Sequence, residues 1–228
     1  MINYTIRIER DDIPYSPREW DNLGTITAKH SRYTLGDEQP NCIQEWLECE
    51  TGLEHDQLET LWDKNPSQSE YMDALLDIFK RENIVLPVYM YEHGNIALST
   101  GGFSCPWDSG QVGFIHVSKD KVRKEYGVKR ISQKTLDKVH RVLKDEIETY
   151  SQYVNGDVYA FLIEDKDGNI IDSCGGFYGL EYCESEARSM VDYLENDNRV
   201  KRVARLKTLI KNRVPLENRI NILDKDAG

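Results

Sequence analysis

The sequence predicts an α+β fold, with a mainly antiparallel sheet of about six strands, flanking helices and an acidic helical insertion. Alternation of apolar and polar residues at the N-terminus has the period of a half-buried strand. Apolar residues from 132 to about 153 recur every three or four positions, as in a helix packed along one face. Strands and helices do not alternate regularly, which favours antiparallel over parallel pairing.

The first strand is predicted from Ile2, Tyr4, Ile6 and Ile8, which alternate with polar residues. The next thirty residues, 11–40, show no period and contain mainly turn formers and polar side chains. Such a stretch is unusual inside a compact domain. It is therefore either a functional loop or contains short elements that leave no periodic signal.

An acidic helical insertion follows at 41–82, where 11 acidic residues face 3 basic ones. In its last helix, Ser67 can cap the N-terminus and Glu70 stands at capping-box spacing. The outer face of this insertion should therefore be strongly negative. We expect its helices at about 41–49, 55–63 and 67–82.

Strands resume after the insertion, and Pro87 places the first of them at a sheet edge or a bulge. Ser118 and Ser132 can each cap a helix, one ending near Tyr126 and one near Tyr153. The three strands are expected at 84–91, 95–99 and 111–117.

The C-terminal third contains a hairpin, because Asp167 and Gly168 form a turn dipeptide between two strand-like runs. Two helices follow, and the second is basic. We expect one domain over 1–198 and a basic C-terminal helix and tail over 199–228. The hairpin strands are expected at 157–164 and 169–174, and the helices at 181–195 and 200–213.

Composition indicates an ordinary globular protein of 228 residues, with 30% charged residues and a net charge of −11. There is no signal-peptide pattern at the start and no apolar run of transmembrane length, so we expect a cytosolic protein. The five cysteines show no paired spacing and are interpreted as reduced thiols. No cofactor or metal is expected, and the oligomeric state is left open.

Charge is segregated along the chain. Residues 1–100 and 146–198 carry 19 and 13 acidic side chains against 8 and 2 basic ones. Residues 119–145 and 199–228 carry 10 and 9 basic side chains against 4 and 3 acidic ones. Such blocks favour a dipolar surface that steers charged partners. The negative total argues against direct nucleic-acid binding, and the basic helices are interpreted as solvated faces.

Two polar, aromatic-rich loops stand out as functional candidates. The first contains SPREWDNLG at 16–24 and HSRYTLGD at 30–37, and the second is FSCPWDSGQVGF at 103–114. With VSK at 117–119 and VRKEYG at 122–127, these motifs resemble an uncharacterised family encoded by bacteriophages, plasmids and bacteria. The resemblance runs from about residue 16 to 178 and brings no known activity. Its genomic context implies an expectation of counter-defence, as a DNA mimic or a nuclease inhibitor.

An enzymatic interpretation uses residues of both loops. A thiol at Cys105 can act as a nucleophile if His93 or His116 serves as its base. Alternatively, His30, Asp37, Asp21 and Asp108 are of the residue types that hold a divalent metal for phosphodiester hydrolysis. No diagnostic spacing supports either arrangement, so capping and packing roles remain open for the same residues. As an enzyme, the chain would be a hydrolase or nuclease using His30, Asp37, Cys105 and Asp108.

A binding interpretation uses aromatic and charged residues of the same loops together with the acidic insertion. Exposed tryptophans beside charges are frequent interface anchors, although many pin a loop to the core instead. A third alternative is a small-molecule binder in which Trp20, Tyr33 and Trp107 stack on the ligand. The leading expectation is a non-catalytic acidic protein that binds a host protein with a basic surface. The candidate binding residues are Trp20, Asp21, Arg32, Tyr33, Trp107, Asp108, Glu45, Glu48, Asp56 and Glu59.

Overall fold

The computed structural model describes residues 4–213, with side chains described as far as residue 211. The strands are β1 (Thr5–Arg10), β2 (Thr25–Ala28), β3 (Asn83–His93), β4 (Asn95–Ser99), β5 (Ser109–Ser118), β6 (Val158–Glu164) and β7 (Ile170–Tyr178). The helices are α1 (Ile43–Thr51), α2 (His55–Lys64), α3 (Gln68–Glu82), α4 (Lys119–Glu125), α5 (Gln133–Asn155) and α6 (Leu180–Arg213), and a single 3₁₀ turn lies at Pro17–Glu19.

These elements confirm the α+β class and the antiparallel strand pairing. Contacts divide the described chain into two units instead of the one domain expected over 1–198. Unit 1 contains the described residues up to Asp12 and from Val158 onward, and unit 2 is Ile13–Asp157. The described strands accordingly form two sheets, with the orders β1-β6-β7 and β2-β5-β3-β4, where a single sheet was predicted.

Unit 2 has three layers, because its sheet is covered by helices on both faces. Successive residues of β5 show the two sides. Ile115 is buried in one cluster with Leu143 and Ile147 of α5. Phe114 is buried in another with Leu75 and Phe79 of α3. The predicted acidic insertion is therefore a helical layer that shares a core with the sheet.

Close strand contact in unit 2 depends on a missing side chain. A Cβ at Gly113 of β5 would lie 2.0 Å from the carbonyl oxygen of Thr27 on β2. Pro87 of β3 faces β5 at a point that β4 does not reach, since β4 pairs only from Tyr89 onward. A register shift follows at Val88. The proline is thus at a local edge and beside a bulge, as the sequence predicted.

Unit 1 is a three-stranded sheet with α6 packed on it. Phe161 and Ile163 of β6 are buried with Cys183 and Ala187 of α6. The predicted hairpin is present, and Gly168 takes a positive φ of 81° in its turn. The prediction of separate helices at 181–195 and 200–213 is wrong, since α6 continues through this junction over 34 residues. The predicted tail beyond 213 lies outside the described residues.

Candidate functional site

The first motif is held in place by a half-buried ion-pair network. The guanidinium of Arg18 donates to both carboxylate oxygens of Asp37, at 3.0 and 2.7 Å, and to Oε2 of Glu146 on α5 at 3.0 Å. It also donates to the carbonyl oxygen of Gly24 at 2.6 Å. The Arg18 side chain is only 8% exposed. The network therefore joins the 16–24 motif, the 30–37 motif and α5.

Both carboxylates also accept backbone N–H groups. Glu146 receives the N–H of Leu23 at 2.8 Å, and Asp37 receives the N–H of Ile26 at 2.7 Å. Burial by itself lowers the pKa of Arg18, but its hydrogen bonds to the two carboxylates outweigh this and raise the pKa above the ordinary value. Asp37, a residue proposed as catalytic if the chain is an enzyme, thus has its carboxylate occupied by Arg18 and by the backbone N–H of Ile26. Arg18, Asp37 and Glu146 therefore have a structural role.

A second, exposed cluster centres on Glu92 at the end of β3. Arg32 donates to Oε2 of Glu92 at 2.6 Å, and the hydroxyl of Tyr33 donates to Oε1 at 2.8 Å. The hydrogen bond to Glu92 raises the pKa of Tyr33. His30 stacks on the Tyr33 ring with the centroids 5.1 Å apart. The backbone N–H of Glu92 donates to the carbonyl of Asp108 at 2.8 Å. Glu92 thus links the two loops that the sequence singled out.

Asp108 lies between the thiol and an imidazole. Its Oδ2 is 3.5 Å from Sγ of Cys105 and 3.4 Å from Nδ1 of His93. In a thiol-dependent hydrolase the imidazole takes the proton from sulfur and the carboxylate orients the imidazole. Here the carboxylate contacts the sulfur directly, so these contacts do not form the usual catalytic relay.

The four residues considered as alternative metal ligands do not form a metal site. Asp37 is bound to Arg18, His30 stacks on Tyr33, and Asp21 is exposed. Nowhere in the described part of the chain do three or more His, Cys, Asp or Glu side chains come together so that they could hold a metal ion. The loops therefore offer a polar surface more than a metal-binding cleft.

Two tryptophans are exposed on these loops. Trp107 is 93% exposed beside Asp108, and Trp20 is 54% exposed after the 3₁₀ turn. A side chain as large as Trp107 exposes a large apolar area to water in the unbound protein, which is unfavourable in free energy. Binding of a partner would bury that area. Trp107 is therefore the side chain of the loop best placed to contact a partner.

His116 of β5 occupies an apolar site under the acidic helices. Its ring centroid is 5.3 Å from those of Trp46 and Phe79, and its Nε2 is 3.1 Å from the hydroxyl of Thr27. That hydroxyl donates to Glu38 at 2.7 Å. Burial lowers the pKa of His116, despite the opposing effect of Glu38. The imidazole is a packing group and is separated from Cys105 by its position within the sheet.

The acidic helices present most of their carboxylates to solvent. Glu45, Asp56 and Glu59 are exposed, and Glu59 lies 3.6 Å from His55. Glu48 differs, because it is half-buried, accepts a hydrogen bond from Gln44 at 2.8 Å and helps to raise the pKa of Tyr71. Three of the four predicted acidic contact residues are thus free to meet a partner, and Glu48 also supports the fold.

The opposite face of unit 2 carries an exposed row of basic side chains. Lys134, Lys138, Arg141 and Lys144 of α5 are exposed, and α5 covers the face of the sheet away from α1–α3. Residues 119–145, which include α4, carry 10 basic and 4 acidic side chains. Asp137, Asp145 and Glu148 of α5 are also exposed, so acidic groups predominate on α1–α3 whereas α5 carries both signs.

Comparisons with known proteins add no assignment, since no protein-family model, curated protein or solved structure matches the chain. Among the helices described, none combines the length and the apolar content needed to cross a bilayer. Sequence reasoning missed Arg18, Glu92 and Glu146 as organising residues. Glu146 gave no signal, since it lies 128 residues from Arg18.

Proposed function

We propose that this chain is a non-catalytic, acidic interaction protein of a phage or mobile element that binds a host protein with a basic surface. The observation that carries the proposal is the acidic layer α1–α3. It covers one face of unit 2 and carries 11 acidic against 3 basic residues over 41–82, whereas residues 119–145 carry 10 basic against 4 acidic ones. A face of one sign attracts a basic groove, steers encounter and rejects partners of the same sign.

The proposed partner class is a nucleic-acid-handling defence protein. A groove that binds nucleic acid is lined with Lys and Arg, since it must replace the counterions of the phosphates. The exposed carboxylates of Glu45, Asp56 and Glu59 are negatively charged, as the phosphates of nucleic acid are, and they lie on a folded surface. The motif resemblance to phage and plasmid proteins supports this counter-defence role.

Affinity capture from a bacterial lysate tests the proposal. Combined substitution Glu45→Lys, Asp56→Lys and Glu59→Lys should lower capture of a nucleic-acid-handling protein at least tenfold at low salt and flatten its salt dependence. Glu48 is left unchanged because its side chain is half-buried. The matched control reverses three charges on the other face, Lys134→Glu, Lys138→Glu and Arg141→Glu. Capture that survives the acidic reversals would refute the proposal.

The second candidate is a hydrolase or nuclease with its site between the 16–37 and 103–111 loops. The link through Glu92 favours it, because this residue contacts Arg32 and Tyr33 of the first loop and Asp108 of the second. Asp108→Asn and Cys105→Ser should then abolish hydrolysis with the fold intact. Asp37→Asn is unsuitable for this test, since it would also weaken the ion pair with Arg18. Activity unchanged in both variants would exclude this candidate.

A further inference from the structure

The second half of α6 is a helical arm that extends past its own sheet. The helix is 34 residues long, or about 51 Å, whereas the nine-residue β7 spans about 30 Å. The side-chain amide of Asn198 in α6 donates to the hydroxyl of Tyr4, the residue before β1. We name residues 199–213 the basic arm. They continue the helix for about 22 Å beyond that contact.

The arm has one sign of charge. It contains seven basic residues and no acidic one. All of its described side chains are exposed except Leu206 and Ile210, which are half-buried. Within the described residues, Lys201 pairs with Asp197 at 2.7 Å, whereas Arg202, Arg205 and Lys207 have no carboxylate partner.

Like charges on this helix destabilise it. Lys201 and Arg205 are four residues apart. Such pairs repel by a few tenths of a kcal/mol each in an isolated helix. A solvated face would ordinarily mix both signs, as the first half of α6 does with Arg188 and Glu184 at 2.8 Å. Arg202, Arg205 and Lys207 are therefore available to an external anion.

Cations interrupt the apolar side of the arm, which argues against a membrane-binding face. Val200, Val203 and Leu209 are the exposed apolar side chains of the arm. At about 100° per residue, the large apolar residues Val200, Val203, Leu206, Leu209 and Ile210 fall within one half of the helix, but Arg199 and Lys207 lie in that same half. Binding along a bilayer surface requires an apolar face with the cations on the opposite side.

We propose that the basic arm binds duplex DNA through its phosphates. A helix fits the major groove, which is about 12 Å wide, and is then flanked by phosphates of both strands. Cations distributed around the helix match that geometry. Screening explains how the arm can act in a protein of net charge −11, because charges more than about 10 Å away are largely screened at 0.1 M salt. This inference revises the expectation that no nucleic acid is bound.

Titration of the full chain with a fluorescent 20-base-pair duplex tests the proposal. The affinity should fall on the order of a few hundred-fold between 50 and 200 mM salt if about five phosphates are contacted. Combined substitution Arg202→Gln, Arg205→Gln and Lys207→Gln should weaken binding at least tenfold at 50 mM salt and reduce the salt slope by about 3. These side chains are exposed, so unchanged circular dichroism will show an intact fold.

The matched control removes three charges from unit 2 with Lys134→Gln, Lys138→Gln and Arg141→Gln. This variant should retain duplex binding within about twofold. The proposal is overturned if the wild-type chain does not bind duplex at 50 mM salt, or if the control weakens binding as much as the arm variant. It is also overturned if an acidic polypeptide such as polyglutamate binds the arm while the duplex does not.

Discussion

Replacing Arg18 with alanine should destabilise unit 2 by about 3–5 kcal/mol, the range for removing one partner of a buried ion pair. The side chains of Arg18 and Glu146 are 8% and 11% exposed, and that of Asp37 is 24% exposed. Without the guanidinium, two carboxylates face each other with no cation between them. Native proteins are stable by only about 5–15 kcal/mol, so the loss is a large share of the total.

Urea unfolding followed by circular dichroism measures the effect. Arg18→Lys keeps the charge but lacks the planar fork that binds Asp37 twice, so it should lie between wild type and Arg18→Ala. Arg32→Ala is the matched control, because that side chain is 66% exposed in its ion pair with Glu92 and should cost at most about 1 kcal/mol. If Arg18→Ala costs no more than Arg32→Ala, the network does not hold the motifs together.

Two further predictions concern the sheet of unit 2. Burial lowers the pKa of His116 in the folded state, against the opposing effects of Glu38 and Asp37, so the unfolded chain binds the proton more tightly. The contribution of His116 to the free energy of unfolding should therefore be complete above the ordinary histidine pKa of about 6.5 and should decline as the pH falls toward the folded-state pKa. Unfolding free energies measured from pH 8 to 5 test this. The absence of a decline, or an equally large decline in His116→Gln, would contradict it. Gly113→Ala should lower the melting temperature sharply, because its Cβ would lie 2.0 Å from a backbone oxygen, whereas Gly102→Ala meets nothing within 4 Å and should melt like wild type.

Elements with a buried face and a cap could be predicted from the sequence. Ser67 accepts the N–H of Glu70 at 3.2 Å at the start of α3, and Ser132 caps α5 in the same way. β2 gave no signal because it is four residues long and three of them are buried, so no polar alternation marks it. The predicted break within α6 contains Asn196, Asp197 and Asn198, which have low helix propensity. Local contacts overrode that weak preference, since Asp197 pairs with Lys201.

The candidate site was only partly predictable, since the sequence shows which residues are polar but not which ones meet. Of the residues chosen from the motifs, Arg32, Tyr33 and Asp108 lie around Glu92. Asp37 was chosen for its chemistry, yet its partner Arg18 occupies it. Pairings between distant parts of a chain depend on tertiary packing, which periodicity and local propensity do not encode.

Unit 1 is formed by two segments that are separated in the sequence by unit 2, so its strands are synthesised at different times. β1 is translated first, but its partner β6 begins at Val158, so β1 waits about 7–30 s for that partner at about 5–20 residues per second. During this interval Ile6 and Ile8 lack their packing partners, because the buried cluster of unit 1 that they contact is formed by later residues. The N–H of Asp11 finally meets the carbonyl of Val158 at 2.9 Å, so the chain leaves and re-enters this unit at adjacent points. If unit 2 folds before β6 is synthesised, β6 would emerge close to β1 and could pair with it directly.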